Sequence, residues 1–325
     1  MPRYLQASAG QTSYGIEDTR YTQASDPTTY FGLIRDEHEP PVPNPQTPMT
    51  TSGADRKPIV NSPDAIEYSW TVPYNLLDHN APLEIAMGSR TSQTVNSGAA
   101  DEYTEHLFEL ANRLPTATVQ VNQEDVDYEG YYIGCKSNLS LSFARGDPLQ
   151  VEQELMAQSF DYADNVGSMP DLSIPSRTPF RFHHIGGSVT LSDPSDGSTV
   201  KSLATATSGD IGIDNGLEAN HHSGREPYAV KETSAEELFD VSLDFTITDL
   251  DLFKRAADAD APVDIELPFV REEANGTPID AVYVRLEEAE LTSAPVPRPS
   301  EGDLEPTIEV QPTGMEIEIR EPAGA

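Results

Sequence analysis

The sequence predicts a mainly β protein of two tandem β-sandwich or barrel units, each flanked by one α-helix, with extended arms and loops. Three observations predict this class. Apolar residues alternate with polar ones in many short runs, the period of a strand with one buried face. The 37% hydrophobic content is interrupted by 27 prolines and 21 glycines, which suits short strands better than a bundle of helices. The elements also occur twice in one order. At 325 residues the chain has room for one large domain or two of ordinary size.

Residues 1–60 read as an N-terminal arm and loop, rich in turn formers, with Tyr30, Phe31, Leu33 and Ile34 as its apolar cluster. The prolines between Glu39 and Pro48 forbid helix or inner strand and favour an extended arm or a disordered tail. The aromatic residues ahead of them argue that part of the arm docks onto something.

Residues 61–160 form the first unit. Ile66, Tyr68, Trp70 and Val72 alternate with polar residues as a strand, and a second short strand is expected over Leu83 to Met87. Asp101 to Leu114 reads as a helix: Tyr103, Leu107, Leu110, Ala111 and Leu114 fall on one helical face, two acids open it and Pro115 stops it. Val119 and Val121 begin the next strand. From Tyr131 to Gln158 the pattern is a long antiparallel hairpin. Leu139, Leu141 and Phe143 alternate with Asn138, Ser140 and Ser142; Arg145-Gly146-Asp147-Pro148 turns the chain; Leu149, Val151, Gln153 and Leu155 return it.

Residues 161–178, rich in Pro, Ser and Asp, read as a linker. The second unit, residues 179–325, begins with short strands around a Ser195–Gly197 turn, and Asp210 to Pro227 reads as a loop. Val241, Leu243, Phe245 and Ile247 alternate. A short helix is predicted over Asp249 to Ala259, with Leu250, Phe253 and Ala257 on one face. Strands follow at Val263–Phe269, at Val282, Val284 and Leu286, and at Ile308–Val310 and Met315–Ile319.

The two halves share one order of elements. Ser52 to Pro58 precedes strand, helix, strand, strand, a Gly146-Asp147-Pro148 turn and a strand; Ser223 to Pro227 precedes the same series, with Gly302-Asp303 and Pro306 at the turn and Arg225 matching Arg56. The insert from Asn75 to Ala100 has no twin.

Composition and motifs exclude several classes. The formal net charge is -35, from 55 acidic and 20 basic residues, and lysine occurs only at 57, 136, 201, 231 and 254. Acid excess with scarce lysine resembles proteins of extreme halophiles; at molar salt the Debye length falls to about 3 Å and self-repulsion is screened. Affinity for nucleic-acid phosphates is not expected. Cys135 is the single cysteine, so no intrachain disulfide forms, and it reads as a core or interface residue. No apolar run reaches about 18 residues, so no membrane span is expected, and the N-terminus lacks a hydrophobic signal region. The pairs His183-His184 and His221-His222 lack the spaced partners of a zinc site. Glu124-Asp125-Val126-Asp127 and Asp258-Ala259-Asp260 lack the pattern of a calcium loop. No nucleophile elbow, phosphate loop or dinucleotide fingerprint occurs. No enzyme, cofactor or metal is expected.

The hairpin stretch carries a resemblance. Gly134, Lys136, Asn138, Leu139, Leu141, Gly146, Asp147, Pro148 and Leu149 match a pattern similar to the tail tube proteins (major tail proteins) of long-tailed, siphovirus-like viruses, although an ordinary hairpin of another β-sandwich shares much of it. With the arms and the duplication, the resemblance spans roughly residues 10–320. It implies a structural virion protein that stacks as rings into a hollow tail tube, the conduit for viral DNA during ejection. It also implies assembly in the host cytoplasm and partners in the tape-measure, tail terminator and baseplate proteins. Tube proteins with one unit per chain resemble hexameric rings; this chain resembles the duplicated kind, for which homotrimeric rings with pseudo-sixfold symmetry are implied and hexamers are the second choice. The halophilic composition adds a halophilic archaeal host. Candidate ring or lumen residues are Tyr131, Lys136, Leu139, Leu141, Phe143, Leu149, Val151, Val282, Val284 and Leu286; candidate ring-to-ring contacts are Tyr30, Phe31, Arg56 and Arg225, with the Tyr30–Pro48 arm and the Asp210–Pro227 loop. Two other readings stay open at this point, a decoration or capsid β-protein and an acidic β-sandwich hydrolase.

Overall fold

The structure is a computed structural model that describes residues 10–25, 27–35, 38–41, 43, 46–49, 60–123, 128–144, 146–163, 172, 174–181, 190–195, 197, 199–202, 206–232, 238–245, 262–293 and 307–323. Strand takes 62% of it and helix 2%, so the mainly β class holds. Arg56, His183, His184, the acidic runs at 124–127 and 258–260, and the helix predicted over 249–259 lie outside the described residues.

The first half contains β1 (Gly10–Ile16), β2 (Thr29–Tyr30), β3 (Leu33–Ile34), the hairpin β4 (Gln46–Met49) and β5 (Val60–Pro63), and β6 (Tyr68–Asn75). Then come helix α1 (Leu83–Met87), the hairpin β7 (Gly88–Val95) and β8 (Tyr103–Leu110), β9 (Ala117–Gln123), β10 (Tyr128–Ala144), β11 (Gln150–Ala157) and β12 (Ser159–Tyr162). The second half contains β13 (Thr190–Ser192), β14 (Thr199–Ser202), β15 (Ala206–Ile213), the hairpin β16 (Leu217–Asn220) and β17 (Ala229–Glu232), and β18 (Phe239–Phe245). It ends with β19 (Val263–Ala274), β20 (Thr277–Ser293), β21 (Thr307–Gln311) and β22 (Gly314–Pro322).

Antiparallel pairing arranges these strands in three large sheets. The first runs β2–β1–β9–β10–β12. The second runs β3–β6–β11–β10–β15–β18–β21–β20. The third runs β7–β8–β22–β20–β19–β13–β14. β10 and β20 are each 17 residues long and pass from one sheet into another. β10 turns at a bulge between Tyr132 and Cys135, where Gly134 has φ +70°. β20 turns near Glu288, which also has positive φ. A bulge adds local bend and twist, which lets one strand serve two sheets. The core fills the space between the sheets: Trp70 and Tyr132 lie 4.5 Å apart beside Phe160, and Phe143 of β10 meets Phe269 of β19 at 5.5 Å.

Four sequence expectations change. The helix predicted over Asp101 to Leu114 is strand β8. Its apolar residues fall at helical spacing and do not alternate, but β7 and β22 flank it on both edges, so ladder bonding overrides the helical spacing. The strand predicted over Leu83 to Met87 is helix α1, bounded by Pro82 and by Gly88 at φ +105°; Leu83, Ile85, Ala86 and Met87 are all buried, so no amphipathic signal survives in one turn. The Asp210 to Pro227 loop contains the end of β15 and all of β16. Gly209 and Gly212 break the apolar alternation there, and a Cβ at Gly209 would sit 2.7 Å from Leu243. Part of the predicted N-terminal arm is also sheet. β1 zips against β9 from Gly10–Gln123 to Ile16–Ala117, with Thr12, Ser13, Gln120 and Asn122 buried as polar residues.

Candidate functional site

The second sheet has one apolar face and one polar face, as strict alternation requires. Tyr74, Val151, Leu141, Ile211, Val241 and Val310 stand in register and are buried. The neighbouring row reads Asn75, Gln150, Ser142, Asp210, Ser242 and Glu309 on the opposite face. Glu152, Glu154, Asp240 and Asp244 join that face by the same alternation. Two basic residues reach it among the described residues. Arg35 pairs with Glu152 at 2.5 Å. Lys136 is covered by β17, with Nζ 2.6 Å from the Val230 carbonyl and 3.0 Å from Glu232, and its burial lowers its pKa. The open remainder of the face is therefore acidic.

Burial raises the pKa of Asp210, and Asp244, Asp240 and Glu152 reinforce the shift. An acid whose folded pKa exceeds its unfolded value costs stability as pH rises through that window, and the cost persists at neutral pH. Asp210→Asn is therefore expected to raise the melting temperature by a few degrees at neutral pH in low salt. In molar salt, where the Debye length is about 3 Å, the part of the gain that comes from the neighbouring carboxylates should disappear and the part that comes from burial should remain. Melting curves of both at the two salt levels check this.

The residues predicted for the ring or lumen lie in these strands, but their side chains point elsewhere. Leu139, Leu141, Phe143, Leu149, Val151, Val282, Val284 and Leu286 are buried in the core, and Lys136 is covered as described. Tyr131 donates to Glu129 beside Gln120. Exposure on the polar face belongs to the residues between them. Val282, Val284 and Leu286 lie in the third sheet, and only Glu290–Ser293 of β20 belongs to the second. Tyr30 and Phe31 are also interior: Tyr30 donates to Asp78, and Phe31 packs edge-on to Tyr14 and Tyr74. Arg225 is exposed in the turn between β16 and β17 and donates to the Asp64 carbonyl at 3.0 Å.

Apart from β7 and β8, which have no twin, the pairings of the two halves correspond strand for strand. β2–β1–β9 matches β14–β13–β19. The hairpin β4–β5 matches β16–β17. β3–β6–β11 matches β15–β18–β21. Each 17-residue strand is flanked alike in its first part, β10 by β9 and β12, β20 by β19 and β22. Each then pairs with the strand that follows, β11 or β21. Among the matched strands, one relation has no counterpart within the chain. β10 pairs on its other edge with β15, from Leu139–Ile213 to Ala144–Ser208. The equivalent strands are β20 and β3, which stand at opposite ends of the second sheet; among the described residues no strand covers either outer edge.

A second constellation was invisible in the sequence. His79, in the loop after β6, stacks on His106 of β8 with ring centroids 3.9 Å apart and planes 5° apart. His79 Nδ1 lies 2.7 Å from Glu321 Oε1 at the end of β22. His106 Nδ1 lies 2.8 Å from Ser92 Oγ and 3.2 Å from Arg90 Nη2. Burial, helped by His79 and Arg90, lowers the pKa of His106 to about 4, so that ring is neutral at neutral pH. No spacing rule joins residues so far apart in the chain; only the β8–β22 ladder brings them together.

A family model described as "Phage tail tube protein" matches residues 7–312. No curated protein matches the chain.

Proposed function

Because the chain belongs to the phage tail tube protein family and is a structural component of the virion tail, we propose that it builds the tube from rings of three chains, each supplying two equivalent wall units. The observation that carries this reading is the strand-for-strand correspondence of the two halves. The β10–β15 ladder joins unit to unit within a chain. The same joint between β20 of one copy and β3 of the next closes a ring, because a heterologous contact repeated by a fixed rotation returns to its start. It also covers two exposed strand edges.

Dimensions agree with the task. The second sheet has eight strands per chain, so three chains give about 24; at about 4.8 Å per strand and a tilt near 40°, the backbone cylinder is about 48 Å across. Side chains of about 5–6 Å on each side leave a bore of about 36 Å, wider than a DNA duplex. The apolar face of the sheet is used by the core, so the acidic face lines the bore. Like charge keeps passing DNA from adhering to the wall. Residues 61–160 and 179–325 supply the bulk of the two units, the first completed by strands from residues 1–60, with 161–178 linking them. The paired hairpin tips, with Arg56 and Arg225, and the proline-rich arm serve ring-to-ring contact, and Tyr30 and Phe31 anchor that arm. Tape-measure, terminator and baseplate proteins are its partners, the tail is of the long siphovirus type, and the charge balance fits a halophilic archaeal host. The chain works as a wall, without catalysis.

Electron microscopy of the purified chain in molar salt tests this. Stacked rings with three chains and six equivalent densities are expected. Rings of six chains, or closed rings that never stack, would overturn it.

A further inference from the structure

The His79–His106–Glu321 cluster has no task in a wall, and its geometry is poorly satisfied by hydrogen bonding alone. His79 Nδ1 is buried and 2.7 Å from Glu321 Oε1, yet the carboxylate lies off the N–H direction and Nδ1 has no hydrogen-bond partner. We propose that His79, His106 and Glu321 form a binding site for one divalent transition-metal ion of the zinc class, which fastens the end of β22 to β8 and to the loop after β6.

Two imidazoles and one carboxylate are a donor set that zinc accepts, with a fourth position left for water. The three candidate ligand atoms lie within 4.8 Å of one another. Around a tetrahedral ion with bonds of about 2.0–2.1 Å, ligand atoms sit about 3.3 Å apart, so side-chain rotation alone closes the site. His106 has an orienting partner. Arg90 Nη2 can only donate to Nδ1, so that contact is given up when Nδ1–H donates to Ser92 Oγ; the Nε2 lone pair is then free for an ion, the arrangement in which an outer hydrogen bond sets the tautomer of a ligating histidine. The stack itself must open, because lone pairs lie in the ring planes and parallel rings cannot aim both at one point. His79 is the ring that turns, since it sits in a loop and its side chain keeps 22% of its surface exposed. Arg90 opposes the ion through its charge, which the Glu321 carboxylate counters.

The test uses the full chain, stripped with a chelator and kept in molar sodium chloride. Zn²⁺ is titrated by calorimetry and Co²⁺ by visible absorption. One ion per chain is expected, with a tetrahedral Co²⁺ spectrum and a higher melting temperature. His106→Gln and Glu321→Gln should each weaken binding at least about 100-fold, and Ser92→Ala about tenfold, with circular dichroism unchanged. His222→Gln should bind as the parent does, because His222 stacks on Tyr228 away from the cluster. Absence of saturable one-to-one binding, or binding that all three cluster variants retain, would overturn the proposal and leave a histidine–carboxylate ion pair only. Should the ligand variants misfold, Ser92→Ala and the parent Co²⁺ spectrum decide.

Discussion

Ile34→Pro is expected to abolish tube formation while leaving the isolated chain folded. Leu33 pairs with Asn75 and Ile34 with Tyr74, and the Arg35 N–H donates to the Pro73 carbonyl at 3.2 Å. In an antiparallel ladder successive residues direct their backbone groups to opposite sides. Arg35 points toward β6, so Ile34 points its N–H and C=O away, at the outer edge of the second sheet. Proline there removes the outward donor and sets its ring against an incoming strand, without touching the β3–β6 bonds. One lost edge hydrogen bond is worth about 1 kcal/mol, and the clash adds to it, so each joint weakens by about tenfold or more. A ring of three meets that loss three times. Sedimentation in molar salt should recover the variant as unassembled chain at concentrations where the parent forms pellets. Its melting temperature should stay within a degree or two of the unassembled parent. Normal tubes from Ile34→Pro would remove β3 from the ring joint.

How far the sequence reveals this arrangement depends on where the physics is local. β6, β10, β11, β18 and β20–β22 declare themselves, because each buries one face and alternation records it. The order of the strands in the repeat is legible for the same reason, but the helix read into its first half at 101–114 is strand β8, and its partner at 249–259 lies outside the described residues. Ser223–Pro227 falls in the β16–β17 connection, and Ser52–Pro58 lies outside the described residues. β1 was hidden because its buried residues are Thr12 and Ser13 as well as Tyr14, so its face is polar even where it is covered. β8 misleads because its apolar residues fall at helical spacing, and the strand is imposed by neighbours from residues 88–95 and 314–322. The hairpin stretch Tyr131–Gln158 is legible as two paired strands, and its large apolar residues face the core. The polar face is written in the Ser, Asn, Asp and Glu between them, which read as ordinary solvent-facing positions. The histidine cluster left no trace at all, since its members belong to three elements that meet only after folding.

Glu17→Ala is expected to cost about 3–5 kcal/mol, the loss typical of stripping a buried charge network of one member. The carboxylate accepts from the backbone N–H of Tyr21 at 2.8 Å and of Gly134 at 2.8 Å, and from the hydroxyls of Thr116 at 2.6 Å and Thr118 at 3.0 Å. Those donors come from the loop after β1, the start of β9 and the bulge of β10. Removing the acceptor leaves three buried donors and one half-buried donor facing a void, and each unsatisfied buried group costs about 1–3 kcal/mol before relaxation. Glu17→Gln should cost less, because its carbonyl still accepts on one side while its NH₂ opposes donors on the other. Gly134→Ala should be comparably severe by a separate route. Its φ of +70° disfavours a side chain, and the new Cβ would sit 2.5 Å from Tyr21 Cδ1 and 2.9 Å from Gln158 Cβ. Denaturant titration of the three variants in molar salt checks the order, and a loss below about 1 kcal/mol for Glu17→Ala would refute it. Gly134 is where β10 leaves the first sheet for the second, so Glu17 fixes the bend that presents the acidic face and its edges. Among 55 acids, this one is held for structure, and its neutralisation should fail to relieve the charge repulsion that Asp210→Asn relieves.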